Sequence, residues 1–424
     1  MLCRARHGEH RRDAGRRGLY PGRGPSPARA GCRTAQCGRW VAAVAGQCLS
    51  PCAGAAHGPA ASLFPDRRSD RPCGRHLHPG APDAVRRDGR YGVVARGALG
   101  GDRVDQRGRT GGCARVKPTV WLTSYPKSGN TWFRALLSNL DPTRDEPAAI
   151  NALDSTDSIA SSRGRFDNHL LVDSSLLAFD EIDDLRPALY RHLAADTYQD
   201  PFDPESHYPV RFVKTHDGYT YTRNGEPIMG GAAAAAGALL FVRDPRDVAP
   251  SLANHQSCTI DEAITMMGEP SYCFCGQTRA LANQLRQQLL GWSGYAASWL
   301  DQRDVPVHLV RYEDMHHAAL LTLRGALHFA GWPVDDATIE RAVRFAAMDE
   351  LQRQEADTGF GEAPQARHGK TTRFFRRGVA GGWRDELTRE QIGRIEQDHA
   401  EMMERLGYRP ATKEDFEHVD QQAR

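Results

Sequence analysis

The first 115 residues contain no lysine, although they contain 22 arginines and only eight acidic residues. They are also nearly bare of isoleucine, phenylalanine and tyrosine, so they offer little apolar surface for a core. No helical or strand period is sustained there, and such a chain cannot offset its conformational entropy by burial. We therefore expect residues 1–115 to be a disordered or non-native extension.

Three interpretations of this extension remain open. Its arginines suit a basic arm for nucleic acid or an acidic membrane. Transit peptides are also rich in arginine, but this segment is too long, and its acidic residues and glycines interrupt any amphipathic helix. The third is a reading frame translated ahead of its true start, because no methionine lies between Met1 and Met229 and Val116 would begin a natural first strand.

Other features that the sequence lacks limit the class of protein that the rest of the chain can be. No apolar run reaches 18 residues, so we predict no membrane span. Seven of the ten cysteines lie in the extension, and no histidine pair follows them at zinc-finger spacing, so we expect reduced thiols, no metal site and a cytoplasmic location. The net charge of +2 does not by itself indicate a polyanionic partner, and we expect no nucleic-acid binding by the residues after 115.

Four short segments after residue 115 are rich in Val, Leu and Phe, and all but the second are nearly continuous in apolar residues, as buried parallel strands are. They are residues 119–124, 210–216, 238–244 and 305–312. Helical patterns separate or follow them at residues 131–140, 245–256, 280–302, 316–330, 335–353 and 389–406. This alternation predicts an α/β domain over residues 116–412, with a central parallel sheet flanked by helices and a polar tail at 413–424.

Polar side chains follow all four predicted strands. Lys127, His216, Arg243 and Tyr312 each lie at or just past the carboxyl end of one strand. Ligands of open α/β sheets bind outside these ends. The sequence therefore predicts one ligand site at this edge of the sheet.

The stretch "TSYPKSGNTW" (123–132) joins a predicted strand to a predicted helix. Backbone N–H groups at a helix start bind anions, and Lys127 adds a positive charge while Gly129 allows close approach of the backbone. Trp132 offers a flat face on which a base could stack. The stretch lacks the GxxxxGK[ST] spacing of the ordinary nucleotide-phosphate loop. A phosphorylated ligand of another kind is indicated, although a plain strand–turn–helix would look similar.

Two further segments carry arginines suited to phosphate. "RDPRDVAPS" (243–251) begins a helix with an Asp–Pro start, and Arg243 and Ser251 could both face an anion there. "FFRRGVAGGW" (374–383) places two arginines before glycines, and the planar arginine fork matches phosphate oxygens. Each segment alone is also typical of an ordinary salt-bridged or basic loop.

The stretch "VKTH" (213–216) places Lys214 and His216 on one face of a strand. Histidine titrates near neutrality, so a histidine beside a lysine in a cleft suits proton transfer. A single histidine is more often structural, and only its combination with the other motifs gives it weight.

In this order the motifs resemble those of the PAPS-dependent sulfotransferases, most closely the soluble type with a KTH motif. The resemblance covers about residues 117–410 and none of the extension. It implies a P-loop-like three-layer fold, no metal, and 3′-phosphoadenosine 5′-phosphosulfate (PAPS) as co-substrate. It also implies sulfuryl transfer to an alcohol or phenol hydroxyl of a small molecule, which would make the chain an enzyme.

The resemblance assigns roles to particular residues. His216 would take the proton of the acceptor hydroxyl, and Lys127 and Lys214 would stabilise the transfer. Ser251 would act at the reaction centre and on the 3′-phosphate. The other implied PAPS contacts are Ser128, Gly129, Asn130, Thr131, Trp132, Arg243, Tyr312, Arg376, Arg377 and Gly378.

Several positions depart from the family pattern. Asn130 replaces the usual Thr and Gly382 replaces an Asp, while Met348 and Ala346 replace a base-stacking Phe and a hydroxyl residue. These changes bring contacts with the cofactor into question more than catalysis. The family's dimer motif is not retained at residues 384–393, so we do not predict that dimer.

Two alternative functions remain. A P-loop kinase or NTPase would need the Walker-type GK[ST] that is absent here. A non-catalytic nucleotide-binding protein would not need Lys127, Lys214, His216 and Ser251 together. We expect residues 141–209 and 256–290 to form the acceptor pocket, with "SYCFCG" (271–276), Met266 and Met267 as an adaptable apolar wall; the alternative is that these residues simply line the core.

Overall fold

The computed structural model describes residues 116–153, 159–196, 208–277, 280–363 and 373–422. The prediction for residues 1–115 lies outside these ranges. Six strands are present: β1 (Thr119–Ser124), β2 (Arg211–Thr215), β3 (Gly237–Val242), β4 (Cys273–Phe274), β5 (Gln287–Gln288) and β6 (Val307–Arg311).

Twelve α-helices accompany the strands in the described part of the chain. They are α1 (Asn130–Ser138), α2 (Arg163–Leu170), α3 (Phe179–Ala195), α4 (Pro245–Gln256), α5 (Ile260–Gly268), α6 (Gly291–Asp301), α7 (Tyr312–His317), α8 (Ala319–Phe329), α9 (Asp336–Phe345), α10 (Met348–Thr358), α11 (Arg389–Arg405) and α12 (Lys413–Gln422). Short 3₁₀ turns occur at Ile150–Ala152, Ser174–Leu176, Gly231–Ala233 and Gly382–Asp385.

The central sheet is parallel, with strand order β2-β1-β3-β6. Thr119 of β1 pairs with Arg211 of β2, and Val120 of β1 pairs with Gly237 of β3. Because β1 and β3 lie in the middle and are buried along their whole length, their carboxyl ends reach the centre of one sheet edge.

Each face of the sheet carries its own hydrophobic core. Trp121, Val213 and Leu240 belong to one cluster of buried side chains, and Leu122 and Phe241 belong to the other. Successive side chains of a strand point to opposite faces, so these alternating residues place apolar layers on both sides. Helices cover both layers, which confirms the predicted three-layer α/β fold with a central parallel sheet.

The structure differs from the predicted helices in two places. The predicted helix over 280–302 begins only at Gly291, because Leu290 and Gly291 have left-handed φ angles of 59° and 67°. Residues 287–288 instead form β5, which pairs with β4. The 17-residue helix α3 lies within residues 141–209, outside the bounds of the predicted helices, and its buried side includes Ile182 and Leu189.

Two helical segments differ from simple expectation. Helix α4 continues through Pro250, although a proline inside a helix removes one backbone hydrogen bond. The polar tail contains α12, whose Val419 is buried against the rest of the domain.

Candidate active site

A cavity of about 840 Å³ opens at the carboxyl ends of the four central strands. Lys127, His216, Arg243 and Tyr312, which follow the four strands, all line it. The structure therefore brings the four strand-end residues together in one place, as the sequence predicted.

Most of the other candidate residues line the same cavity. Ser128 is the exception, because its side chain is buried beneath the loop and does not reach the cavity surface. The lining candidates are Gly129, Asn130, Thr131, Trp132, Lys214, Ser251, Arg376, Arg377 and Gly378.

The loop before α1 has a tight backbone turn. Lys127 has a φ angle of 71° and Gly129 one of 100°, both in the left-handed region. A Cβ atom on Gly129 would lie 2.7 Å from Cδ2 of Tyr312. Only glycine fits there without strain, and Gly129 itself lines the cavity at the start of α1.

Asn130 braces this loop from inside. Its Nδ2 donates to the Leu122 carbonyl at 2.9 Å and to Ser124 Oγ at 3.3 Å. The amide thus joins the start of α1 to the end of β1. The departure from threonine at this position gives the loop a brace rather than removing a contact.

Positive charge is concentrated at the bottom of the cavity. Burial, followed by repulsion from Lys214 and Arg243, lowers the pKa of Lys127 to about 7. Burial also lowers the pKa of Lys214, although Glu362 opposes this effect. Burial therefore disfavours both charged ammonium groups, and an anion bound beside them would favour the charged form.

Glu362 supplies part of that negative charge, and the sequence analysis missed it. Its carboxylate contacts Lys214 Nζ at 3.0 Å and Arg134 Nη1 at 2.7 Å, and it accepts a 3.4 Å hydrogen bond from Thr131 Oγ1. Burial alone would raise the pKa of Glu362, but Lys214 and Arg134 hold it far below its usual range. A spacing argument could have found Arg134, one turn beyond Thr131, but not a glutamate more than 140 residues from Lys214.

His216 is held in one tautomer. Its Nδ1 lies 2.8 Å from the backbone carbonyl of Ser124, which can only accept, so Nδ1 carries the proton. Burial and the charge of Lys214 lower the pKa of His216 to about 3, so the ring is neutral at neutral pH. Its Nε2 consequently keeps a free lone pair, the form required to take a proton from a hydroxyl group.

A second histidine, His255, lines the cavity one helical turn beyond Ser251. Its Nδ1 is buried and has no hydrogen-bond partner among the described residues. Burial, then Lys127 and Lys214, lowers the pKa of His255 to about 4. The i,i+4 spacing from Ser251 is the sequence signal that could have identified it.

Aromatic rings form one side of the cavity. The Arg243 guanidinium lies 4.1 Å from the centroid of the Tyr312 ring, and Trp132 meets that ring edge-on at 5.7 Å. Trp132 Nε1 donates to the backbone carbonyl of Ala346 at 2.8 Å. Because the acceptor is a main-chain atom, Ala346 serves this contact without a hydroxyl side chain.

The arginines after Phe375 lie at the rim. Arg376 Nη2 contacts Glu386 at 2.8 Å, and Arg377 Nη2 contacts Asp385 at 2.5 Å. Both arginines line the cavity but are paired with carboxylates of the following turn. Gly378 follows with a φ angle of 62°, and Met348 packs against it so closely that a Cβ atom would overlap Met348 Cγ.

Both segments expected to form an acceptor pocket contribute to the cavity lining. The prediction was wrong for Met266 and Met267, since neither lines the cavity and Met267 is fully buried in the core. The lining residues from these segments are Ile150, Asn151, Leu153, Ile159, Gln256, Phe274, Cys275, Asn283 and Gln284.

The described residues contain neither a candidate membrane span nor a candidate metal cluster. None of their helices is long and apolar enough to cross a membrane. They also contain no group of three or more His, Cys, Asp or Glu side chains that could hold a metal ion.

Among solved structures, the chain is similar to mouse sulfotransferase SULT7A1 complexed with PAP, at 16% identity over 68% of this chain and 85% of that one, with a TM-score of 0.41. It is also similar to retinol dehydratase in complex with androsterone and the inactive cofactor PAP, at 18% identity over 67% of this chain and 80% of that one, with a TM-score of 0.42. The family profile of the sulfotransferase domain matches residues 117–407, which is 291 of the 424 residues. The chain therefore belongs to the sulfotransferase domain family.

Proposed function

We propose that this sulfotransferase transfers the sulfuryl group of PAPS to an alcohol or phenol hydroxyl of a small-molecule acceptor. The observation that carries the proposal is the state of His216. A neutral imidazole with a free Nε2 lies in the same cavity as Lys127 and Lys214. A proton acceptor and two cations are the groups that hydroxyl sulfation needs from a protein.

The residues of the cavity fit a donor with two separated phosphate groups. The start of α1, with Lys127, Gly129 and Thr131, offers N–H groups and positive charge to one of them. Arg243 and Ser251, with Arg376, Arg377 and Gly378 from the other side, would hold the second. The depressed pKa of Lys127 supports this fit, because a bound anion would relieve the repulsion between the cations.

In the proposed reaction His216 Nε2 accepts the hydroxyl proton of the acceptor. Lys214 holds the sulfuryl oxygens, and Lys127 neutralises charge that builds on the oxygen between the sulfur and the phosphorus. Trp132 and Tyr312 would contact the adenine. Transfer of a planar sulfuryl group requires chiefly positioning and electrostatic stabilisation, as phosphoryl transfer does.

The test uses the full chain with PAPS and a panel of phenols and alcohols, and detects sulfated products by mass spectrometry. We expect His216→Ala to lower kcat at least 100-fold, as loss of a general base does, and the exposed His169→Ala to leave it unchanged. Sulfation that persists in His216→Ala would refute the assignment of the base.

Binding of 3′-phosphoadenosine 5′-phosphate (PAP) is the second arm, measured by calorimetry. We expect PAP to bind more tightly than ATP, and Arg243→Ala to weaken PAP binding at least tenfold while Arg191→Ala, an exposed arginine on α3, does not. Tighter binding of ATP with Mg²⁺ would instead favour a kinase or NTPase.

A further inference from the structure

The segment that carries Arg376, Arg377 and Gly378 has no helix or strand between Arg373 and Gly381. We name residues 373–383 the clamp segment. Its backbone groups are bonded to side chains of α4 and α10 rather than to a neighbouring strand. The geometry of its arginines therefore depends on those side chains.

Asp247 of α4 holds the distal end of the clamp segment. One carboxylate oxygen accepts the N–H of Gly381 at 2.6 Å, and the other accepts the N–H of Trp383 at 2.8 Å. The side chain of Asp247 is buried, and the Arg246 guanidinium stacks at 4.3 Å on the Trp383 ring. Both oxygens of the Asp247 carboxylate therefore accept hydrogen bonds from the same turn of the clamp segment.

Glu355 of α10 holds the proximal end in the same way. Its two carboxylate oxygens accept the N–H groups of Phe374 at 2.6 Å and Phe375 at 2.9 Å. Glu355 is also buried, and the Phe374 ring that it positions lies 3.6 Å from Lys127 Nζ. The proximal end of the clamp segment is therefore linked to the lysine at the bottom of the cavity.

Weaker bonds lie between and beside these two ends. Gln352 Nε2 donates to the Arg376 carbonyl at 3.1 Å, and Asn254 Nδ2 donates to the Arg373 carbonyl at 3.1 Å. Arg243 Nη2 donates to the Val379 carbonyl at 3.1 Å. Each of these three side chains donates to one carbonyl of the segment, whereas each of the two carboxylates accepts two N–H groups.

From this arrangement we propose that Asp247 and Glu355 are positioning residues that fix the clamp segment in the geometry needed to recognise the 3′-phosphate of the donor. The proposal rests on the proposed function, because it assumes a nucleotide with a 3′-phosphate. Asp247 lines the cavity, but both oxygens of each carboxylate already accept backbone N–H groups, so neither carboxylate is proposed as a ligand contact. Each acts through the backbone that carries Arg376, Arg377 and Gly378.

Only an ionised carboxylate can play this part at each end. An asparagine or glutamine of the same shape has one acceptor oxygen, and its NH₂ group would face a backbone N–H. One buried N–H would then lose its partner and be opposed by another donor. The segment must move to relieve this conflict, and the arginines move with it.

The experiment compares two nucleotides in the full chain. PAP carries the 3′-phosphate and adenosine 5′-monophosphate (AMP) lacks it, so the ratio of their dissociation constants measures recognition of that group alone. We expect Asp247→Asn and Glu355→Gln each to reduce the preference for PAP over AMP at least tenfold, while AMP affinity changes less than threefold. Thermal unfolding of each variant reports its fold.

A matched control is Glu262→Gln. Glu262 accepts the backbone N–H of Thr259 at 2.8 Å in the capping box of α5, away from the cavity. We expect this variant to keep the wild-type ratio. An equal fall in the control would overturn the proposal.

The remaining outcomes are also decisive. A ratio that is unchanged in both folded carboxylate variants overturns the inference, as does equal weakening of PAP and AMP. If one variant does not fold, the other decides. If neither folds, the carboxylates support the whole domain and the proposal is wrong. A wild-type chain that binds no PAP refutes the proposed function instead, before any variant is compared.

Discussion

Lys127 should make donor binding depend on pH in a way that can be calculated. Its pKa is about 7 because burial and the neighbouring cations Lys214 and Arg243 disfavour the charged ammonium. A phosphate bound beside it favours the charged form and raises this pKa. Binding must then take up the proton that Lys127 has lost in the free protein.

The size of the effect follows from the pKa. At pH 7 about half of the free protein has Lys127 neutral, and at pH 8 about nine tenths does, so PAP binding takes up roughly 0.5 and 0.9 proton respectively. The dissociation constant should rise about fivefold from pH 7 to pH 8 and about tenfold from pH 8 to pH 9. Binding above pH 7 avoids the titration of the phosphate itself.

Titration calorimetry in buffers of different ionisation enthalpy counts these protons directly. Lys127→Met should remove most of the uptake and flatten the dependence above pH 7, and Lys413→Met, on the exposed surface of α12, should change neither. Because the pKa of Lys214 is also lowered, a small residual uptake in Lys127→Met is expected.

The lowered pKa of Lys127 makes the free energy of unfolding depend on pH in the direction opposite to ligand binding. The pKa of Lys127 lies below its unfolded value of 10.5, so the unfolded chain binds more protons between pH 7 and that value. Its contribution to the free energy of unfolding therefore rises with pH in this window while ligand binding weakens. A wild-type dissociation constant that stays constant from pH 7 to pH 9, or full proton uptake in Lys127→Met, would refute the reasoning.

Four further predictions follow from the geometry. Because the pKa of His216 is about 3, kcat for sulfation at saturating PAPS should be flat between pH 5 and pH 7, and an inflection near 6.5 in the profile of kcat against pH would contradict this. Glu362→Gln should tighten PAP binding about tenfold in calorimetry, since it removes an internal anion from Lys214, and weaker binding would show that Glu362 supports the bound state. Gly129→Ala should weaken PAP binding at least tenfold, whereas Gly393→Ala, in open space on α11, should raise the free energy of unfolding by about 0.5–1 kcal/mol. Arg186→Met should lower that free energy by about 3–5 kcal/mol in denaturant titrations because it leaves buried Asp217 unpaired, and Arg191→Met in the exposed pair with Glu226 should cost less than about 1 kcal/mol.

The central sheet could be predicted because its signals are local. A buried parallel strand is a short continuous apolar run, and each of the four runs is followed directly by its polar residue, from Lys127 to Tyr312. The helix capping box of Thr388 and Gln391 likewise lies within four residues and marks the start of α11. Such features need no knowledge of the rest of the fold.

The missed features depend on contacts between distant parts of the chain. Glu362 meets Arg134 across 228 positions, and Asp247 meets Trp383 across 136. Side-chain spacing along the sequence carries no trace of such pairs. Helix α3 was missed for another reason: its acidic first half and internal Pro187 hide an apolar stripe that packs on the sheet.

The order of the strands also sets when this domain can fold. Thr119 of β1 has its first partner in Arg211 of β2, 92 residues later, and β3 follows after a further stretch. At about 5–20 residues per second of synthesis, β1, which is fully buried in the folded domain, emerges about 5–20 s before its first partner strand. Every strand pairing in the central sheet joins segments that are distant in sequence. Such pairings slow folding and leave unpaired, aggregation-prone strands exposed until their partners are available. Chains whose synthesis stops between β1 and β2 should therefore aggregate. The need for chaperone binding should be greatest in the interval before β2 can pair with β1.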